Sequence, residues 1–220
     1  MPQHSPRNLN LWKRGLGRVP ESVWDQAELE ALVLADNGLT EVSERVGGLK
    51  QLRMLDLGHN QLTAVPEAIG ELEGLTDFFY LHDNRLSTLP ASIGRLTKLR
   101  YLNLSENEFR ELPEQVCLLA YLFELRISDN QMTRLPDSIG KLGRLRELHL
   151  RNNELASLPE SVGQLKELRQ IDSRGNPLRL LPDRLAELPR LEKLDLRWVE
   201  TLELPPWLER LEERGCAVYR

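Results

Sequence analysis

Four histidines, His4, His59, His82 and His149, and two cysteines, Cys117 and Cys216, are the side chains best suited to metal or nucleophilic chemistry in this chain. His59 and His82 stand 23 residues apart, with Asp56 and Asp83 beside them. If a repeat of that length placed the two on neighbouring rungs of a sheet, a metal site becomes imaginable. Zinc, however, takes three or four ligands converging from fixed directions. An exposed sheet does not by itself enforce that, so no metal ligand is assigned. Cys117 occupies a slot filled elsewhere by Gly47, Gly70, Gly94, Gly140 and Gly163, which marks it as a small packed side chain. Cys216 has no histidine or acidic partner in a recognisable motif. No glycine-rich phosphate loop, HExxH or GxSxG occurs. The expectation is a protein without catalytic residues, metal or cofactor, and not an enzyme.

The elements that must position any site come from a chain of 220 residues, enough for one large domain or two small ones. Hydrophobic residues at 40% and charged residues at 29% are ordinary for a folded protein. A net charge of -5 argues against nucleic-acid and anionic-membrane partners, which call for a basic surplus. No apolar run approaches the ~20 residues of a membrane span. The start, MPQHSPRNLNLWKRG, lacks the apolar stretch of a secretory signal. Two cysteines make no disulfide framework. At about four rungs, roughly 20 Å, they are too far apart to bridge. A reducing, cytoplasmic compartment is expected.

Asparagine recurs at 37, 60, 84, 107, 130, 153 and 176, in steps of 23 except for one of 24. In "LRYLNLSENEFRELPEQVCLL", Leu99, Leu102 and Leu104 precede Asn107, while Phe109, Leu112, Val116 and Leu119 follow it. The same template fits from Leu52 and from Leu145. LxL alternates with period two, as in a strand with one buried face. Leu-Pro then opens a helical turn, and the spacing Pro113, Val116, Leu119 continues it. The asparagine side chain is expected to satisfy amides and carbonyls buried at the bend, a structural duty and not a catalytic one.

The pattern resembles the leucine-rich repeat family, in its LxxLxLxxNxLxxLPxxIGxL subgroup, over roughly residues 6 to 213. The resemblance implies an α/β fold, a right-handed solenoid with parallel strands on the concave face and short helices on the convex face. About nine repeats make one domain over 1–220: an N-terminal cap unit at 1–28, regular repeats at 29–190, and a last repeat with its cap at 191–220. Pro6 stands where the first leucine belongs, and Arg14 and Val199 stand where the terminal asparagines would be.

In such a solenoid the strand residues six, four and two places before each asparagine face the concave side. Those columns are apolar and aromatic toward the N-terminus and charged toward the C-terminus. Between Leu75 and Phe79 the ruler carries one extra residue, and there "FFY" places Phe79 in the core and Phe78 and Tyr80 outward. A bulge before the strand would re-aim Phe78. Exposed aromatics of this kind favour an interface. The candidate partner-binding residues are Trp12, Val33, Met54, Phe78, Tyr80, His82, Tyr101, Arg126, Arg151, Arg174 and Arg197. The resemblance to Ras-suppressor and Ras-scaffold repeats and to bacterial cytosolic repeat proteins implies a protein-binding module, monomeric, with a small GTPase or phosphatase as partner. The alternative is a secreted effector or ubiquitin-ligase-recruiting adaptor acting in a host cell.

Overall fold

The computed structural model describes residues 7–220; Pro6 and His4, named above, lie outside them. Among the described residues, ten strands stand in chain order in one parallel sheet. They are β1 (Asn8–Asn10), β2 (Ala31–Val33), β3 (Met54–Asp56), β4 (Phe78–Tyr80), β5 (Tyr101–Asn103), β6 (Glu124–Arg126), β7 (Glu147–His149), β8 (Gln170–Asp172), β9 (Lys193–Asp195) and β10 (Ala217–Tyr219). The central residues of β2 to β9, Leu32, Leu55, Phe79, Leu102, Leu125, Leu148, Ile171 and Leu194, are fully buried. Side chains alternate across a strand, so their neighbours face the other way. The result is the α/β leucine-rich repeat solenoid, with a leucine core that each coil shares with the next.

The convex returns are 3-10 turns rather than α-helices, of three residues at Glu21–Val23 and of five from the next coil on, as at Glu67–Glu71 and Glu114–Leu118. The spacing Pro66, Ile69, Leu72 explains this: three residues per turn is the 3-10 period, and it puts all three on one side. The proline sits just before the turn in an extended conformation, and Leu72 closes the turn by donating its N–H to the Ile69 carbonyl.

The asparagines form a ladder. Asn107 Nδ2 donates to the carbonyls of Leu81, Leu104 and Ser105 at 2.9–3.1 Å, and Oδ1 accepts from the Leu86 amide at 2.9 Å. Asn37, Asn60, Asn84, Asn130, Asn153 and Asn176 repeat the arrangement. The residue before the ladder position takes a left-handed conformation in successive coils, as at His59 (φ 52°), Asp83 (φ 51°) and Glu106 (φ 57°). That tips its side chain over the rim.

At the C-terminal end, α1 (Trp207–Glu213) covers the core with Trp207, Leu208 and Leu211. The tail after Gly215 then becomes β10 and pairs with β9. The concave face is left open, and the tail extends it by one rung.

Candidate binding face

The first and third residues of each strand face the concave side. β4 and β5 therefore present Phe78, Tyr80 and Tyr101 there, while Phe79 and Leu102 enter the core. The Phe78 and Tyr80 rings stack with centres 5.9 Å apart, and Tyr101 leans on them at 5.5 and 5.1 Å. His82 meets Tyr80 edge-on at 6.0 Å. Phe78 remains 42% exposed, whereas Met54, Tyr80, His82 and Tyr101 are half-buried by one another. Burial pushes the Tyr101 phenol up to about 12 against the opposing charge of Arg126, so it stays a neutral hydroxyl at physiological pH. Arg126 lies 5.9 Å over the Tyr101 ring.

The extra residue is absorbed at Thr76–Asp77, ahead of β4. Asp77 and Phe78 both donate to the Arg53 carbonyl, as Arg53 and Met54 do to Glu30, but Arg100 skips back to Thr76. The strand register is undisturbed, with Phe78 between Met54 and Tyr101. The detour presses the chain against the preceding coil, where a Cβ on Gly74 would come within 2.5 Å of the Lys50 carbonyl oxygen. It also opens a cleft at the sheet margin lined by Arg53, Asp77, Phe78, Arg100, Tyr101, Phe123 and Glu124.

The eleven candidate residues do not converge on one point. Met54, Phe78, Tyr80, His82 and Tyr101 form one patch on β3 to β5 and the rim beside it, with Arg126 at its flank. Trp12 stands apart beyond β1, 56% exposed, and Val33 is half-buried on β2. The charged half is internally paired. Arg174 grips Asp172 with two hydrogen bonds at 2.8 and 2.6 Å, Arg197 grips Asp195 at 2.9 and 2.8 Å, and Arg151 meets Asp129 at 2.9 Å. Asp195, read from the sequence as outward-facing, is buried, because Arg197 and β10 cover it. Trp198 and Tyr219, which the column reading missed, add exposed rings beside Arg197 at 5.9 and 5.4 Å. Trp198 lies in the rim slot and Tyr219 in a tail that periodicity does not reach.

Burial raises the Asp195 carboxyl, but hydrogen bonds from Arg197 and the charges of Arg174 and Arg197 outweigh it and hold the group below its ordinary range. Asp172 is lowered in the same way, with Arg174 overcoming burial. Folded-state values below the unfolded ones stabilise the protein above the unfolded carboxylate pKa of about 3.9, and that contribution disappears as pH falls through the folded values. Acid titration followed by circular dichroism is expected to show wild type losing stability below about pH 4, and Asp195→Asn, already lacking the paired carboxylate, losing less over that window.

Two groups offer ligand atoms for a cation. His59 and His82 approach edge-to-face with ring centres 4.6 Å apart. Burial, aided by His59, lowers the His82 pKa and favours its neutral form. Farther along, His149 Nε2 lies 3.2 Å from Glu147 and 3.6 Å from Glu124. That second trio was not singled out from sequence, although its signal, acids in neighbouring rungs with a histidine two residues on, is there. Both thiols are buried and free, and burial pushes each upward. Among the described residues no helix is long and apolar enough to cross a membrane.

Comparison with known proteins agrees with the coils. Residues 27–79 match the leucine rich repeat model, and residues 87–173 match that of a leucine-rich repeat region. A leucine-rich repeat protein of Leptospira interrogans superposes with a TM-score of 0.75 at 26% identity, over 97% of this chain and 66% of that one. The ectodomain of the Arabidopsis thaliana membrane receptor kinase GASSHO1/SCHENGEN3, solved in complex with CASPARIAN STRIP INTEGRITY FACTOR 2, gives 0.76 at 30% identity, over 87% of this chain and 24% of that one. This chain thus spans less than two thirds of the length of either protein. No curated protein sequence matches it. Domains of this architecture generally serve as protein-binding scaffolds. With the repeat, the asparagine ladder and both matches in agreement, the chain is a leucine-rich repeat protein.

Proposed function

We propose that this protein is a non-enzymatic interaction module that captures a protein partner on its concave face, anchored at Phe78, Tyr80 and Tyr101. The observation that carries the reading is the stacked aromatic cluster left partly open on the concave sheet. Aromatic anchors of this kind supply most of the energy of protein interfaces. Asp56, Asn103 and Arg126 surround it as a polar rim. Arg174 and Arg197 are held by Asp172 and Asp195, so they contribute shape and local potential rather than free charges. The similar plant ectodomain was solved with a bound factor, which supports a recognition role for a sheet of this type. Two buried free thiols suit a reducing, cytoplasmic setting, and the resemblance to Ras-suppressor and Ras-scaffold repeats suits a small GTPase or phosphatase as the partner.

The experiment compares partner capture by wild type and by Tyr80→Ala with Tyr101→Ala. Two anchors at about 2 kcal/mol or more each make the expected loss several-hundred-fold or greater. The melting temperature should move little, because both rings are partly solvated. Capture that survives the double substitution contradicts the proposal.

A further inference from the structure

We propose that His59 and His82 form a two-imidazole clamp for zinc(II) on the rim of the concave face, independent of the partner-binding reading. The two Nε2 atoms share a hydrogen bond of 3.2 Å, a proton bridge that a metal would replace. Two nitrogens bound tetrahedrally at the usual Zn–N length lie about 3.3 Å apart, so the rings already stand near the required bite. The remaining two coordination positions fall to water.

Four features build this arrangement. The His59 amide donates to the His82 carbonyl at 2.9 Å, which locks the two rungs together. The left-handed backbone at His59 and Asp83 tips the His59 ring and the Asp83 carboxylate over the rim, which brings His59 against His82 as a flat sheet would not. Asp83 Oδ2 lies 2.6 Å from His59 Nδ1 and holds that nitrogen as N–H, so His59 Nε2 accepts from His82 Nε2; zinc takes the place of that proton, which His82 carries on Nδ1 in the bound state. Gly58 makes the seat for the second ring: a Cβ there would fall 2.4 Å from His82 Cε1. The other group of ligand atoms, Glu124, Glu147 and His149, is less suited, because the Arg126 Nε already sits 2.5 Å from the Glu124 carboxylate.

The test is calorimetric titration of the full chain with zinc chloride in a non-chelating buffer, with the imidazole resonances followed by NMR. Wild type is expected to bind one equivalent and to shift the signals of both His59 and His82. His59→Gln and His82→Gln should each weaken binding at least tenfold, and Asp83→Asn about tenfold through loss of the outer carboxylate. Gly58→Ala should also weaken it at least severalfold with both imidazoles intact. Glu147→Gln should leave it unchanged. A flat wild-type titration, affinity that follows Glu147 instead, or affinity indifferent to His82→Gln would each overturn the clamp.

Discussion

Asn107→Ala is expected to destabilise the protein by about 2–3 kcal/mol, measured by urea denaturation. The side chain makes four hydrogen bonds, all to backbone, and it is itself buried. Alanine leaves the Leu86 amide without a partner, while the carbonyls of Leu81, Leu104 and Ser105 each lose one of two donors and keep Asn84, Asn130 and the Asp83 amide respectively. A buried amide left unpaired costs about 1–3 kcal/mol, and the three weakened carbonyls put the loss toward the top of that range. Asn103→Ala, on the same coil but facing the concave side, is the control, with an expected cost under about 1 kcal/mol. Comparable losses for the two would mean the ladder is not what closes the bend.

Phe79→Ala should cost about 3–5 kcal/mol, whereas Phe79→Leu should cost less than about 1.5 kcal/mol. Phe79 is fully buried in the slot that Leu55 and Leu102 occupy in the neighbouring coils. Alanine leaves a cavity in a core whose coils support one another, so the loss is not confined to one repeat. Leucine restores the residue type used on either side. Thermal melts of the two variants separate the alternatives: equal and small shifts would show that Phe79 does not carry core packing.

Burial was legible in the sequence wherever it was periodic. Leu55, Leu102 and Asn107 were placed because each recurs at a fixed offset, and even Phe79 could be assigned to the core by its slot. The convex turns came out as 3-10 rather than α because the proline-to-leucine spacing is a multiple of three; the sequence carries that distinction, though faintly. What escaped was set by neighbours rather than by pattern. Asp195 reads as an outward strand residue, but β10 and Arg197 cover it, and β10 lies beyond the last full repeat. The pairing of Asp172 with Arg174, by contrast, was legible, because the arginine column stands beside the acidic residues two places earlier on the same face. The meeting of His59 and His82 depends on a left-handed residue and on a glycine beneath the ring, neither of which periodicity records.

The proposed docking face is tested most directly by placing a photo-crosslinking amino acid at Tyr101 and, separately, at Glu114 on the convex side, and irradiating each protein with its partner bound. The account predicts an adduct from position 101 and none from position 114. An adduct from 114 alone would contradict it.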